Sequence, residues 1–432
     1  MHQPTPFDED ATPLETIVWT LVAVTMLVIP FVIMRPAVDV FRTPKDVVFE
    51  TLALVILATS VAGSLLGARL GAAFSGHRTP LLLAASAMLW TAVVVTTSLQ
   101  REVSFFKPIF VFCLAVFFCA ALWTTRRRGL TAIALAIVPA ALNAIIAFLQ
   151  STPAATFVIT KDIISRRMWV SGLIGNPNEL GGYFVLPLMA SIAAAIAWPR
   201  LRWAFGATAL ILAGGVVAAQ SVTPVIATAA GVAAMTLLPG ARAIRYAGII
   251  TLVLLVTALS LHPGARTRMT TLVKNAQSGE LLEMTSYRLP AFAVALRMFR
   301  DRPLLGVGPG VFAARYMPYK LRIDADHPDW IRVGNQNFGE VHNDHLQLLA
   351  ETGVPGYLIF LAALVILSRL SFLRRGEMAP RARFVRSFAF PAAAAFAALG
   401  LAHFPMQLTS TMMPAVFLAA LCFAWTDADE VA

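Results

Sequence analysis

Apolar runs of about twenty residues recur along the whole chain, and that feature confines the fold more than any single motif. Such runs have the length needed to cross the hydrocarbon layer of a bilayer as helices. Twelve are read, near 14–34, 47–66, 80–99, 105–124, 130–149, 181–199, 204–220, 222–239, 246–262, 353–371, 387–403 and 410–426. The pair around Gln220–Pro224 is the least separated, with only SVTP between the runs. With 58% hydrophobic and 13% charged residues and a mean hydropathy of +0.74, a single soluble core is excluded. Soluble domains run near 45–50% apolar and about 25% charged. The expected fold is an all-α polytopic membrane protein of about twelve transmembrane helices. The opening MHQPTPFDED is acidic and lacks a positive n-region, so no cleavable signal peptide is expected and the first span inserts the chain.

The basic residues orient it. Connections after even-numbered spans carry fifteen Lys and Arg, including Arg126–Arg128 and six arginines between Arg369 and Arg386. The short connections after odd-numbered spans carry seven: Arg35, Arg42, Lys45, Arg101, Lys161, Arg166 and Arg167. The positive-inside rule then places both termini in the cytoplasm and the ninth connection outside. The expected organisation is a bundle of about nine spans over 1–262, an external helical cap over 263–352, and three spans with a cytoplasmic tail over 353–432. Cys113, Cys119 and Cys422 fall inside spans, so no disulfide framework is read and the redox compartment stays open. The net charge of +11 follows from the cytoplasmic arginines and does not argue for a nucleic-acid partner.

Polar residues concentrate in the two long connections, STPAATFVITKDIISRRMWVSGLIGNPNEL and 263–352. The second interleaves eleven Lys and Arg with Trp, Tyr, Phe and Leu, which is too apolar for disorder and reads as a folded cap. Within it RLPAFAVALRMFRDRP reads as an amphipathic helix lying in the interface, with Leu289, Phe292, Leu296 and Phe299 on its apolar face. Arg288 stands at its start, where the helix dipole disfavours a cation. It either reaches lipid phosphates or is held for an anionic substrate. LLGVGPGVF lacks the GxGxxG spacing and a preceding strand, so it reads as a turn rather than a nucleotide loop. Asp324 and Asp326 form Asp-x-Asp, either a metal pair or a solvated turn. His342 and His345 have ligand spacing for zinc but no tightly spaced third ligand.

The densest polar stretch, GEVHNDHLQLLAETGVPGYLIF, abuts the tenth span. Asp344 followed by Gln347 resembles a capping box, so a helix is expected from about Asp344 to Glu351, stopped at Gly353 before Pro355 opens the span. His342 falls just ahead of that helix, where the positive dipole end lowers its pKa and keeps the imidazole neutral. It is either a structural histidine or a general base.

His342-Asn343, nine residues, Gly353, two residues and Gly356 together resemble a pattern of the bacterial O-antigen ligase and O-antigen polymerase superfamily. The block SYRLPAFAVALRMFRDRPLLGVGPGVF is similar to the family's upstream block, with Arg288 on its arginine and Phe292 near a position where many members have tryptophan. RRMWVSGLIGNPNELGGYF resembles the family's GNPN segment, with Arg167 ahead of it. The resemblance implies a GT-C-like membrane glycosyltransferase of the bacterial inner membrane. It would move a glycan from undecaprenyl diphosphate to a sugar hydroxyl of lipid A–core at the periplasmic face, among membrane lipids and with no cofactor. Implied roles are His342 as base, Arg288 on the leaving diphosphate, and Arg266, Arg268, Arg167, Asn176 and Asn178 at the donor. Asn343, His345 and Glu340 are secondary candidates, and no metal is assigned. The acceptor is not set by the motif, so an O-antigen polymerase and a protein O-oligosaccharyltransferase remain alternatives. A transporter of lipid-linked glycans is disfavoured because charge is scarce within the spans, Lys107 near a span end being the exception read.

Overall fold

The computed structural model describes residues 12–428 apart from 69–73, 75, 153–165, 239–241, 262, 280, 327–336 and 374–377. Among the described residues there is no strand, and ten helices are long and apolar enough to cross a membrane. Helix is the outcome lipid imposes, because a spanning segment must satisfy its own backbone groups. The bundle comprises α1 (Pro13–Val28), α2 (Arg42–Leu65), α3 (Arg78–Thr96), α4 (Phe106–Thr124), α5 (Gly129–Ser151), α6 (Pro177–Ala197), α7 (Arg202–Ala218), α8 (Val222–Thr236) and α9 (Arg242–Leu261). Then come α10 (Pro263–Ser278), α11 (Leu289–Asp301) and α12 (Val311–Asp326), followed by α13 (Asp344–Arg369), α14 (Pro380–Gly400) and α15 (Thr409–Ala428). All twelve apolar runs are helices, though α8 has only 15 residues. The SVTP break between α7 and α8 is real: Gln220 turns there with φ +49°.

α6 lies at the centre, packed between α5, α7, α8 and α14. Its residues Leu180–Ala194 are buried on every side, including Gly181 against Pro224 of α8. The connections after odd-numbered spans gather at one end of the bundle. There Arg42, Asn176, Ser221, His342 and Ala402–Phe404 come together through the contacts described below.

A second, smaller core lies at that end. α11 packs on α12 and α13, burying Ala291, Val294, Ala295 and Met298 against Val307, Phe312 and Tyr316. Each fully buried large side chain contributes roughly 1.5–3 kcal/mol. This corrects the expected apolar face of α11: Leu289, Phe292 and Phe299 are only partly buried and Leu296 is exposed. The buried stripe is offset because the helix sits on protein, not on the bilayer surface.

The LLGVGPG turn accounts for the break in α13. Gly353 adopts φ +67°, and the backbone opens there. Val307 and Gly308 donate to the carbonyls of Ala350 and Glu351 at 2.8 and 3.1 Å, while Val354 donates to Pro303 O at 2.8 Å. Backbone therefore lies directly on backbone. A Cβ on Gly306 would fall 2.3 Å from the carbonyl carbon of Glu351, and one on Gly353 2.2 Å from Leu304 O. These glycines are required by contact distance, not by phosphate binding.

Candidate active site

α13 is capped one residue earlier than the sequence pattern implies. Asn343, not Asp344, is the N-cap, its Oδ1 accepting from Leu346 N at 3.0 Å. Gln347 reaches back to Val341 N at 3.0 Å, and this pair pins the segment that presents His342. His342 takes φ +59°, a left-handed conformation that costs a non-glycine residue energy. Its ring stands edge-on between Phe338 and Phe404, at centroid distances of 5.9 and 4.7 Å. Nδ1 is buried without a hydrogen-bond partner among the described residues. Burial, then Arg288, then Arg42, push the imidazole pKa down to about 3, so the ring is neutral at physiological pH.

Both arginines are anchored. Arg288 sits at the N-cap position of α11 and its Nη1 donates to Ala402 O at 3.1 Å. Arg42 opens α2; Nη2 donates to Glu179 Oε1 at 2.5 Å and Nη1 to Glu340 Oε1 at 2.8 Å. Its guanidinium also covers the Phe404 ring at 4.8 Å. Glu179, 2% exposed, is held in turn by Asn176 Nδ2 at 2.6 Å. Asn176 N-caps α6 through Asn178 N and Glu179 N, which explains the GNPN signature as a cap. Asn178 Oδ1 accepts from Arg167 Nη2 at 2.6 Å and from Ser221 Oγ at 2.8 Å.

The structure thus joins His342, Arg288, Glu340, Asn176 and, one bond further, Asn178 and Arg167. Arg266 is exposed on α10, which packs on α9 and the short helix Leu281–Met284 and whose Gly264 lies against the Gln220 side chain. The side chain of Arg268 lies outside the described residues, as do Arg69, Lys161, His262, His327, Arg332, Arg374 and Arg375. His345 is saturated: Nε2 lies 2.9 Å from Ala397 O and Nδ1 3.1 Å from the Tyr357 hydroxyl. Donation from Nε2 leaves Nδ1 as acceptor, which fixes the tautomer. Asp324 is buried and engaged by Lys320 at 2.5 Å, within helix α12, while the side chain of Asp326 lies outside the described residues.

Two residues escape the sequence reading. Arg42 counts there only as a loop charge, since apolar length starts the second span near 47. The helix starts at Arg42 and takes Lys45, Asp46 and Glu50 with it, so Lys107 is not the sole charge in a span. Lys45 is buried but donates to the carbonyls of Val32, Phe41 and Leu173. His403, 2% exposed, packs against Gly182 beside Phe404, and burial with His342, Arg288 and Arg42 lowers its pKa. The available clue is LAHFP, a histidine between two spans.

Fold and site define a polytopic, all-helical membrane protein with a cationic, imidazole-bearing site at one end of its bundle. Residues 207–361 match the family model of O-antigen ligase, a stretch that includes Arg288 and His342. No curated protein matches the chain.

Proposed function

We propose that the protein transfers a glycan from a polyprenyl diphosphate to a hydroxyl of lipid A–core, at the periplasmic face of the inner membrane. The observation that carries this reading is a neutral imidazole, His342, flanked by two anchored arginines where the spans end. The family match over residues 207–361 supports ligase- or polymerase-type chemistry. In the proposed step the acceptor oxygen attacks the anomeric carbon from the face opposite the diphosphate. The new C–O bond forms as the C–O bond to diphosphate breaks, the electron pair leaving on the phosphate oxygen. His342 takes the hydroxyl proton and Arg288, with Arg42, neutralises the departing charge.

A base with a pKa near 3 is weak, and the cause of that weakness identifies its remedy. Arg288 and Arg42 are two of the three groups depressing it. A diphosphate bound between them brings negative charge that offsets theirs, so His342 becomes more basic when the donor arrives. Arginine suits the role because its planar fork binds phosphate oxygens in pairs. Arg167, Asn176 and Asn178 hold the floor of the site, and no step requires a metal.

Deleting the gene and examining lipopolysaccharide tests the reading. Core without polymer, with long chains retained on the carrier lipid, is expected. Core bearing a single repeat would make the protein a polymerase, and normal lipopolysaccharide would overturn both.

A further inference from the structure

Arg42 carries one positive charge and meets two carboxylates that hold it in different ways. Glu179 accepts from both Nε and Nη2, at 3.1 and 2.5 Å, and is itself fixed by Asn176 in the first turn of α6. Its side chain is 2% exposed. Glu340 accepts one bond, from Nη1 at 2.8 Å, and its side chain is 23% exposed. It stands in the irregular stretch ahead of α13, where no helix holds it. The first contact aims the guanidinium from the protein interior. The second covers it on its more exposed side.

The difference matters once an anion arrives. Arg288 and Arg42 converge on one connection, Arg288 through Ala402 O at 3.1 Å and Arg42 over the Phe404 ring at 4.8 Å. A diphosphate bridging them needs N–H groups from Arg42, and Nη1 is the terminal nitrogen that Glu179 leaves open. That nitrogen is the one Glu340 occupies. Arg42 by itself already faces more negative charge than it carries, and like charges set side by side oppose binding. One carboxylate must yield. Glu179 is buried and doubly bonded, and losing its counter-ion would leave a charge stranded out of water. Glu340 gives up a single, partly solvated ion pair, which is worth little.

We propose that Glu340 holds the place of a phosphate on Arg42 and is displaced when the diphosphate head of the substrate binds. The identity of that head rests on the proposed glycan transfer, since inorganic diphosphate offers the same chemistry. Binding of undecaprenyl diphosphate and of inorganic diphosphate to the full-length protein in nanodiscs tests the placeholder. Glu340→Gln is expected to tighten both probes about three- to tenfold, the scale of one weak ion pair plus relief of a like charge. Glu340→Asp, which keeps the charge but reaches Arg42 less well, should tighten them less and serves where the amide destabilises the fold. Glu179→Gln should do the opposite and weaken both, because Arg42 loses the group that aims it. Opposite signs for two carboxylates on one guanidinium separate displacement from a shared structural role. In Arg42→Ala, adding Glu340→Gln should change nothing further, because the glutamate acts through that arginine. Unchanged or weaker binding in Glu340→Gln, or binding of neither probe by any of the proteins, overturns the placeholder. So does tightening that persists without Arg42 or is confined to inorganic diphosphate. Transfer from a lipid-linked glycan to core, measured on the same proteins, separates the two readings. Tightening without transfer keeps the placeholder and removes the transferase, and transfer without tightening does the reverse.

Discussion

Residues 338–343 and 344–351 are neighbours in sequence, rich in the same polar types, and differ in how their histidines are satisfied. In the second, His345 uses both ring nitrogens, and Gln347 bonds Val341 N and, more weakly, Glu351. Glu351 in turn accepts from Phe312 N at 3.2 Å. These groups hold the cap to α13. In the first, His342 is forced to positive φ, stands between aromatic edges and leaves Nδ1 without a partner among the described residues. Asp344 Oδ1 is also buried without a partner among the described residues, so the contrast lies between the two histidines: strain and an open ring nitrogen at His342, both nitrogens engaged at His345. Residue type does not distinguish two histidines three positions apart; their partners do.

The largest combined effect on donor binding and turnover belongs to Arg288. Arg288→Ala should weaken donor binding and also cut turnover by about 10²–10³, the range for one lost charge-stabilising donor. Arg288→Lys should rescue poorly, because a point charge lacks the bidentate fork. Rates and donor affinity of the three proteins check this, and full rescue by lysine would show that only net charge matters.

Next in size is stability. Asp324→Ala leaves the Lys320 ammonium buried without its partner, a change worth about 3–5 kcal/mol. Thermal unfolding should fall sharply for Asp324→Ala and recover in the Asp324→Ala, Lys320→Met double variant. Equal stability of all three would remove the ion pair from what holds the cap together.

What is legible in the sequence follows from the range of the contacts involved. Apolar length announces each span, and local spacing announces α11, α13 and the break at Gly353. The sequence pattern sets the cap one residue late because Asn343 and Asp344 are both good caps, and only the acceptor geometry chooses between them. Arg42 is invisible as a site residue because its partners, Glu179 and Glu340, lie 137 and 298 residues away. No periodicity reports such a meeting.

His345→Ala sharpens the comparison with a smaller effect: turnover should fall less than tenfold, well short of the typical 10²–10⁴ for a lost general base. A separate check lies in pH dependence. In the unfolded chain His342 binds a proton near pH 6.5, whereas in the native protein it does so only near pH 3. Its contribution to stability is therefore complete above pH 6.5 and lost as pH falls from 6.5 toward 3. His342→Gln should flatten the melting-temperature profile over that window, and an unchanged slope would mean the ring is not held neutral.

The most direct measurement is the split between binding and turnover in His342→Ala. With a lipid-linked glycan donor, near wild-type donor affinity is expected, with turnover reduced by about 10²–10⁴. Transfer at close to the wild-type rate, or a loss of donor affinity as large as the loss of turnover, would contradict His342 as the base.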